Sequence, residues 1–144
     1  MFVNPPDATI RAVLATPRRI AVVGCSPDPA RDSHRIARFL IGLGHDVIPV
    51  NPSVTEMLGR PCYPSLRALP DTPEMVDIFR RSDQAGAVVD EAVRVGARIV
   101  WMQLGVVDVE AANRARTAGL TVIMDRCPKI EYQRLAISLP LAGE

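Results

Sequence analysis

The chain has 144 residues, 48% of them hydrophobic, which suits a single domain with a real core. Seventeen basic residues against sixteen acidic ones leave a net charge of +1, so no global field draws it to nucleic acid or to an anionic membrane surface. No apolar run reaches the roughly 20 residues of a membrane span, the first residues lack the regions of a signal peptide, and a cytoplasmic protein is expected. Cys25, Cys62 and Cys127 are odd in number and widely spaced, forming neither a disulfide framework nor a zinc motif.

Taken in chain order, Pro5-Pro6-Asp7 opens a short helix over about 7–16, with Ile10, Val13 and Leu14 on one face and Pro17 stopping it. Residues 19–24 read as a first strand ending in Gly24. A polar loop follows, then a helix over about 34–43 with Ile36, Phe39, Leu40 and Leu43 as its stripe. Asp32 or Ser33 is its expected cap, and Gly44 ends it. Residues 46–52 form a second strand, in which Pro49 is awkward for a central position. Residues 53–70 are irregular, with a turn near Gly59 and one helical turn at 65–69. A third strand (75–79), a helix (83–95), a fourth strand (98–103), a helix (109–117), a fifth strand (120–124) and a closing helix from about 128 to 137 complete the domain. The tail, 139–144, is expected to fray.

Five βα units with near-continuous apolar strands predict a doubly wound, five-stranded parallel sheet covered on both faces, one Rossmann-like α/β domain over 1–144 with its core at about 19–137. Counting the strands from one to five, right-handed crossovers and the glycine loop favour the order 3-2-1-4-5. That order sets the ends of strands one and four side by side, where ligands of such sheets bind. The loop from Gly24 to Arg31 would then face Gln103 to Val106. Asn51-Pro52 and Phe79-Arg80 would lie on one flank, and Met124 to Cys127 on the other.

The loop itself discriminates between nucleotides. The three glycine places of a dinucleotide fingerprint hold Gly24, Ser26 and Pro29, and the end of strand two has no acid to bind a ribose hydroxyl. A Walker loop is absent. What remains is a phosphate-accepting loop with Arg31 and Arg35 at the helix start and Arg80 at the end of strand three. No catalytic constellation accompanies it. Gly24-Cys25-Ser26-Pro27-Asp28 resembles a nucleophile elbow but lacks the final glycine and any following Asp…His pair. Ser26 reads as a hydrogen-bond donor to phosphate, His34 as a helix-start residue within reach of one, and His45 as a surface turn residue. Trp101 and Tyr63 read as packing residues.

Six motifs in order over about 19–134 resemble the small bacterial CoA-binding proteins. These are single Rossmann-like domains similar to the CoA-binding domain of the succinyl-CoA synthetase α subunit. The motifs are Val23-Gly24-Cys25-Ser26-Pro27, Val47 to Pro52, Gly59 with Tyr63 to Leu66, Val76 to Arg80, Val100 to Gly105, and Met124 to Glu131. The resemblance implies coenzyme A or an acyl-CoA lying across the carboxyl edge. Gly24, Cys25, Ser26 and Arg31 would meet its phosphates. Asn51, Pro52, Phe79 and Arg80 would flank the adenosine, and Gln103, Gly105 and Val106 would line the pantetheine side. Pro27, Ser33, Arg35 and Arg126 complete the candidate set, with no catalytic residue and no metal. Ser53 stands where relatives often carry a base, so Arg60 or Arg35 would have to meet the 3′-phosphate. Cys127, beside Arg126, and Cys25 are candidates for a mixed disulfide with CoA under oxidation. Two other readings remain open: an NAD(P)-dependent oxidoreductase with a degenerate fingerprint, and a regulatory module without ligand. The expected assembly is a monomer or homodimer.

Overall fold

A computed structural model describes residues 1–139 of the chain. Helix α1 (Asp7–Leu14) precedes β1 (Arg19–Val23), α2 (Asp32–Gly42) and β2 (Asp46–Val50). A two-stranded antiparallel finger, β3 (Glu56–Met57) and β4 (Arg60–Pro61), and a 3-10 turn at Leu66–Ala68 fill the next connection. Then come β5 (Met75–Ile78), α3 (Ser82–Val95), β6 (Ile99–Met102), α4 (Val109–Thr117), β7 (Thr121–Met124) and α5 (Pro128–Arg134). The main sheet is five-stranded and parallel throughout, as its near-continuous apolar strands require. Residues 140–144, most of the expected frayed tail, lie outside the described residues.

The strand order is β2-β1-β5-β6-β7. Numbered as five main strands this is 2-1-3-4-5, which corrects the expected 3-2-1-4-5. Right-handed crossovers lay their connections on one face when moving one way along the sheet and on the other face when moving back. The first crossover puts Ile36, Ala37 and Leu40 of α2 into a core shared with Ile10, Val13 and Leu14 of α1. The next one carries Leu66 into the opposite core, among Ala85, Val89 and Ala92 of α3. The chain therefore reverses after β2, passes over β1 and pairs β5 along β1's other edge. Which face Leu66 would choose depends on tertiary packing alone.

The reversal also resolves Pro49. β2 is an edge strand, where a missing N–H is tolerated, and Tyr63 covers that edge by donating its N–H to the Pro49 carbonyl (3.2 Å) and accepting from the Asn51 N–H (2.9 Å). His45 is a second correction. It is 5% exposed rather than a surface turn residue. Its Nδ1 accepts the Arg18 backbone N–H at 3.0 Å, so Nε2 carries the hydrogen toward Tyr132 Oη at 2.7 Å. The tyrosine hydroxyl in turn donates to the Leu14 carbonyl at 2.6 Å. Burial holds the imidazole below its ordinary pKa, and the chain of bonds needs it neutral. The signal for this role, a histidine beside an apolar strand, is too short-range in sequence to reveal a partner 87 residues away.

Candidate nucleotide-binding cleft

The new order changes what meets at the carboxyl edge. The end of β1 lies against the end of β5, not of β6. Gly24 has φ +84°, and a Cβ there would fall 2.1 Å from the Phe79 carbonyl oxygen. Only glycine lets these two strand ends approach so closely. Its amide and that of Cys25 both point back to the Val50 carbonyl, at 3.0 and 3.3 Å. The loop after it is tied down by its own residues. Ser33 Oγ accepts the Ser26 N–H at 2.9 Å, Ser26 Oγ accepts the Asp28 N–H at 3.1 Å, and Asp28 accepts from Ala30 and Arg31. His34, 7% exposed, places Nδ1 2.9 Å from the Ser26 carbonyl and so holds the loop against the helix.

Ser33 is therefore not the cap of α2 but a brace for the loop, and Asp32 forms a surface ion pair with Arg35 instead. The N-cap position is Arg31, whose side chain caps nothing. The first amides of an α-helix have no intrahelical acceptor and carry its positive dipole end. Here they open into a cleft of about 830 Å³. Gly24, Phe79 and Gln103 contribute to its floor. Ser26, Ala30 to Ser33, Arg35 and Ile36 line one wall, bringing Arg31 and Arg35, and Cys127, Lys129 and Ile130 from the start of α5 line the other. Leu104 and Val106 extend it along the loop after β6.

Gln103 supplies the most telling detail. Its side chain is 7% exposed, and its Oε1 atom is buried with no hydrogen-bond partner. Buried carbonyl oxygens are rarely left unpaired, because burial without a partner costs the full desolvation of the group. Gln103 also lines the cleft, and a turn of its side-chain amide would offer Oε1 to a ligand N–H.

Of the candidate site residues, Gly24, Ser26, Arg31, Ser33, Arg35, Phe79, Gln103 and Val106 come together around this one cleft. Others do not line it. Cys25 is sealed in the core, and burial pushes its thiol up to about 12. Asn51 spends its side chain on the loop: Nδ2 donates to the Cys25 carbonyl at 2.9 Å, and Oδ1 accepts the Ser53 N–H at 2.8 Å. Gly105 donates its N–H to Asp125 at 2.7 Å. Arg126 is exposed, donates to the Asp125 carbonyl and belongs to a separate depression near the N-terminus. Pro27, Pro52 and Arg80 also lie off the cleft wall. Arg60 is remote as well, donating to the Val47 carbonyl beside the edge strand, so of the two arginines considered for a 3′-phosphate only Arg35 reaches the cleft. Lys129 and Ile130 were not among the candidate site residues, although both lie in the sixth motif, Met124 to Glu131. Trp101 is a packing residue as expected, fully buried with Nε1 donating to the Arg126 carbonyl at 2.8 Å.

The fold is a Rossmann-like α/β domain whose parallel sheet carries one cleft at its carboxyl edge, between the starts of α2 and α5. Over residues 18–133 the sequence matches the CoA-binding domain, and the chain belongs to that family. It is 39% identical over 129 residues to the uncharacterized protein YneT of Bacillus subtilis, covering 90% of this chain and 96% of that one. A hypothetical protein of Pyrococcus horikoshii has a similar structure, with a TM-score of 0.86 and 39% identity over 94% of this chain and 99% of the other. The sequence is also 33% identical over 111 residues to an ADP-forming acetate–CoA ligase of Archaeoglobus fulgidus, a match covering 68% of this chain but only 16% of the ligase.

Proposed function

We propose that the cleft binds coenzyme A or an acyl-CoA and that the domain is a binding unit without catalytic residues for turnover. The observation that carries this reading is the pairing, within one cleft, of an uncapped helix start bearing Arg31 and Arg35 with the unpartnered amide oxygen of Gln103. The first suits the phosphates. The second suits an N–H of the pantetheine arm, which carries two amides and would otherwise leave Oε1 unsatisfied. Among the described residues no group of three or more acidic, histidine or cysteine side chains is arranged to hold a metal. His34 and His45 are both committed to structural hydrogen bonds. The match to 16% of an ADP-forming acetate–CoA ligase supports CoA as the class of ligand. No helix among the described residues is long and apolar enough to cross a membrane, which fits the proposed cytoplasmic setting.

A ligand that binds only the folded state raises its melting temperature. Thermal shift with CoA, dephospho-CoA, NAD and NADP in parallel tests the reading. CoA is expected to give the largest shift, with dephospho-CoA weaker because Arg35 loses its phosphate. Arg31→Ala is expected to weaken CoA binding by about tenfold or more, the worth of one hydrogen bond to a charged group. A shift by the nicotinamide nucleotides alone favours an oxidoreductase. No shift by any of the four favours a module without ligand.

A further inference from the structure

The family likeness and the cleft account for the phosphates and the pantetheine amides, but they leave one reactive group on the cleft wall without a role. Cys127 follows β7, is only partly covered, and is the one cysteine lining the cleft. Building on the CoA-binding reading, we propose that Cys127 captures oxidised coenzyme A, exchanging with CoA disulfide to hold one CoA as a mixed disulfide in the cleft.

Three observations converge on it. The first is direction. The carboxyl ends run β1, β5, β6, β7 across the sheet, and the chain after β7 turns back over β6, where Trp101 Nε1 donates to the Arg126 carbonyl, so Cys127 faces the start of α2 across the one cleft. A pantetheine arm leaving phosphates at the start of α2 would run along that cleft. The second is Gln103, directly after β6 on the cleft floor. The residue is 7% exposed with its Oε1 unpartnered, a side-chain amide beside the course that an amide-bearing chain would take. The third is selectivity among the thiols. Cys25 is fully buried with Sγ facing the Ser33 carbonyl, and Cys62 is buried with Sγ facing the Asn51 carbonyl. Burial raises the pKa of both. Cys127 instead shares its cleft with Lys129, Arg31 and Arg35, the partly exposed and electropositive setting in which thiols react.

The exchange balances without any other oxidant. The Cys127 sulfur attacks one sulfur of CoA disulfide, a Cys127–CoA S–S bond forms as the CoA–CoA bond breaks, and the leaving CoA thiolate takes up the proton that Cys127 gives away. One disulfide and one thiol become another disulfide and another thiol. A reducing thiol reverses the step.

The test uses the whole reduced chain. Incubation with CoA disulfide, followed by intact-mass spectrometry and peptide mapping, is expected to show one CoA attached at Cys127 and none at Cys25 or Cys62. Because the reacting sulfur is delivered by binding, modification is expected to run at least about tenfold faster than with glutathione disulfide at equal concentration. Excess dephospho-CoA or 3′,5′-ADP is expected to slow it. Cys127→Ser is expected to lose the adduct whatever its own affinity for reduced CoA, which calorimetry on the variant reports separately. Absence of an adduct in protein that binds CoA reversibly overturns the proposal and leaves the binding function intact. Equal rates with CoA and glutathione disulfides, insensitive to the competitors, also overturn it, since the thiol is then merely accessible. If calorimetry finds no reversible CoA binding to the wild type, the binding function and this inference fall together.

Discussion

The two faces of the sheet are built to different rules. On one, α3 and α4 press against the strands through small side chains: Ala85, Ala92, Ala111, Ala112 and Ala115 are all fully buried, and the core there is apolar. Gly86 shows how close these helices come, since a Cβ on it would lie 2.8 Å from Asp108 Oδ2, and Asp108 caps α4 by accepting the Ala111 N–H. On the other face, α1, α2 and α5 cover Trp101, Tyr132, Cys25 and Cys62. Buried polar groups are threaded among them: His45, Asp77 and Glu131. The cleft opens at the carboxyl edge of this second face, between the starts of α2 and α5. Alanine packing gives a rigid, closed support. Larger and polar side chains leave space and unsatisfied groups, and that is where a ligand fits.

The two faces meet at the end of β1, and Gly24→Ala is the substitution expected to do most harm. A methyl group overlapping the Phe79 carbonyl, on a backbone at positive φ, is expected to cost about 2–5 kcal/mol, from overpacking and left-handed strain together. Urea denaturation measures the loss, and a midpoint unchanged from wild type refutes the packing argument.

Tyr132→Phe probes the polar face alone. It strips the hydroxyl from between His45 Nε2 and the Leu14 carbonyl and leaves two buried groups unpaired. The expected cost is about 1–3 kcal/mol. A loss no larger than that of an exposed tyrosine shows that the chain of hydrogen bonds adds nothing to stability.

Asp77 gives the smallest effect near pH 4 and one of opposite sign. It sits in the central strand β5, in register with Val22 and Trp101, fully buried, with neither carboxyl oxygen partnered. Burial raises its pKa well above the ordinary 3.8. Below pH 3.8 folded and unfolded chains both hold the proton, and nothing is lost. As pH rises the unfolded chain ionises first, so stability falls with pH until the folded carboxyl also ionises, at a limiting slope of about 1.4 kcal/mol per pH unit. Asp77→Asn removes that slope. The stability of the variant relative to wild type is expected to improve as pH rises above 3.8, and a difference that does not change with pH rules out the neutral buried acid.

Much of this was legible in the chain. Each expected strand of the main sheet and each expected helix has its counterpart within a few residues, because apolar runs, helical stripes and terminal glycines are local signals. The loop at Gly24 and the arginines of α2 were legible for the same reason, since a strand, a turn and a helix start occupy adjacent residues. Other features were not. That Ser33 braces the loop while Asp32 pairs with Arg35 depends on rotamers, which spacing does not set. That Asn51 is spent on the Cys25 carbonyl, and that Arg60 serves the β2 edge, depends on which strands are neighbours.

What the sequence by itself determined is therefore the set of elements, their parallel arrangement and the phosphate-accepting end of the site, all properties of contiguous residues. Only the tertiary structure decided the strand order, through the face on which Leu66 is buried. It also decided that Lys129 and Ile130 of α5 close the cleft that Arg31, Gln103 and Cys127 were expected to share, and that Cys25, Asn51 and Arg126 do not line it. A right-handed crossover is possible on either face, and the choice between them is made by packing between residues far apart in the chain.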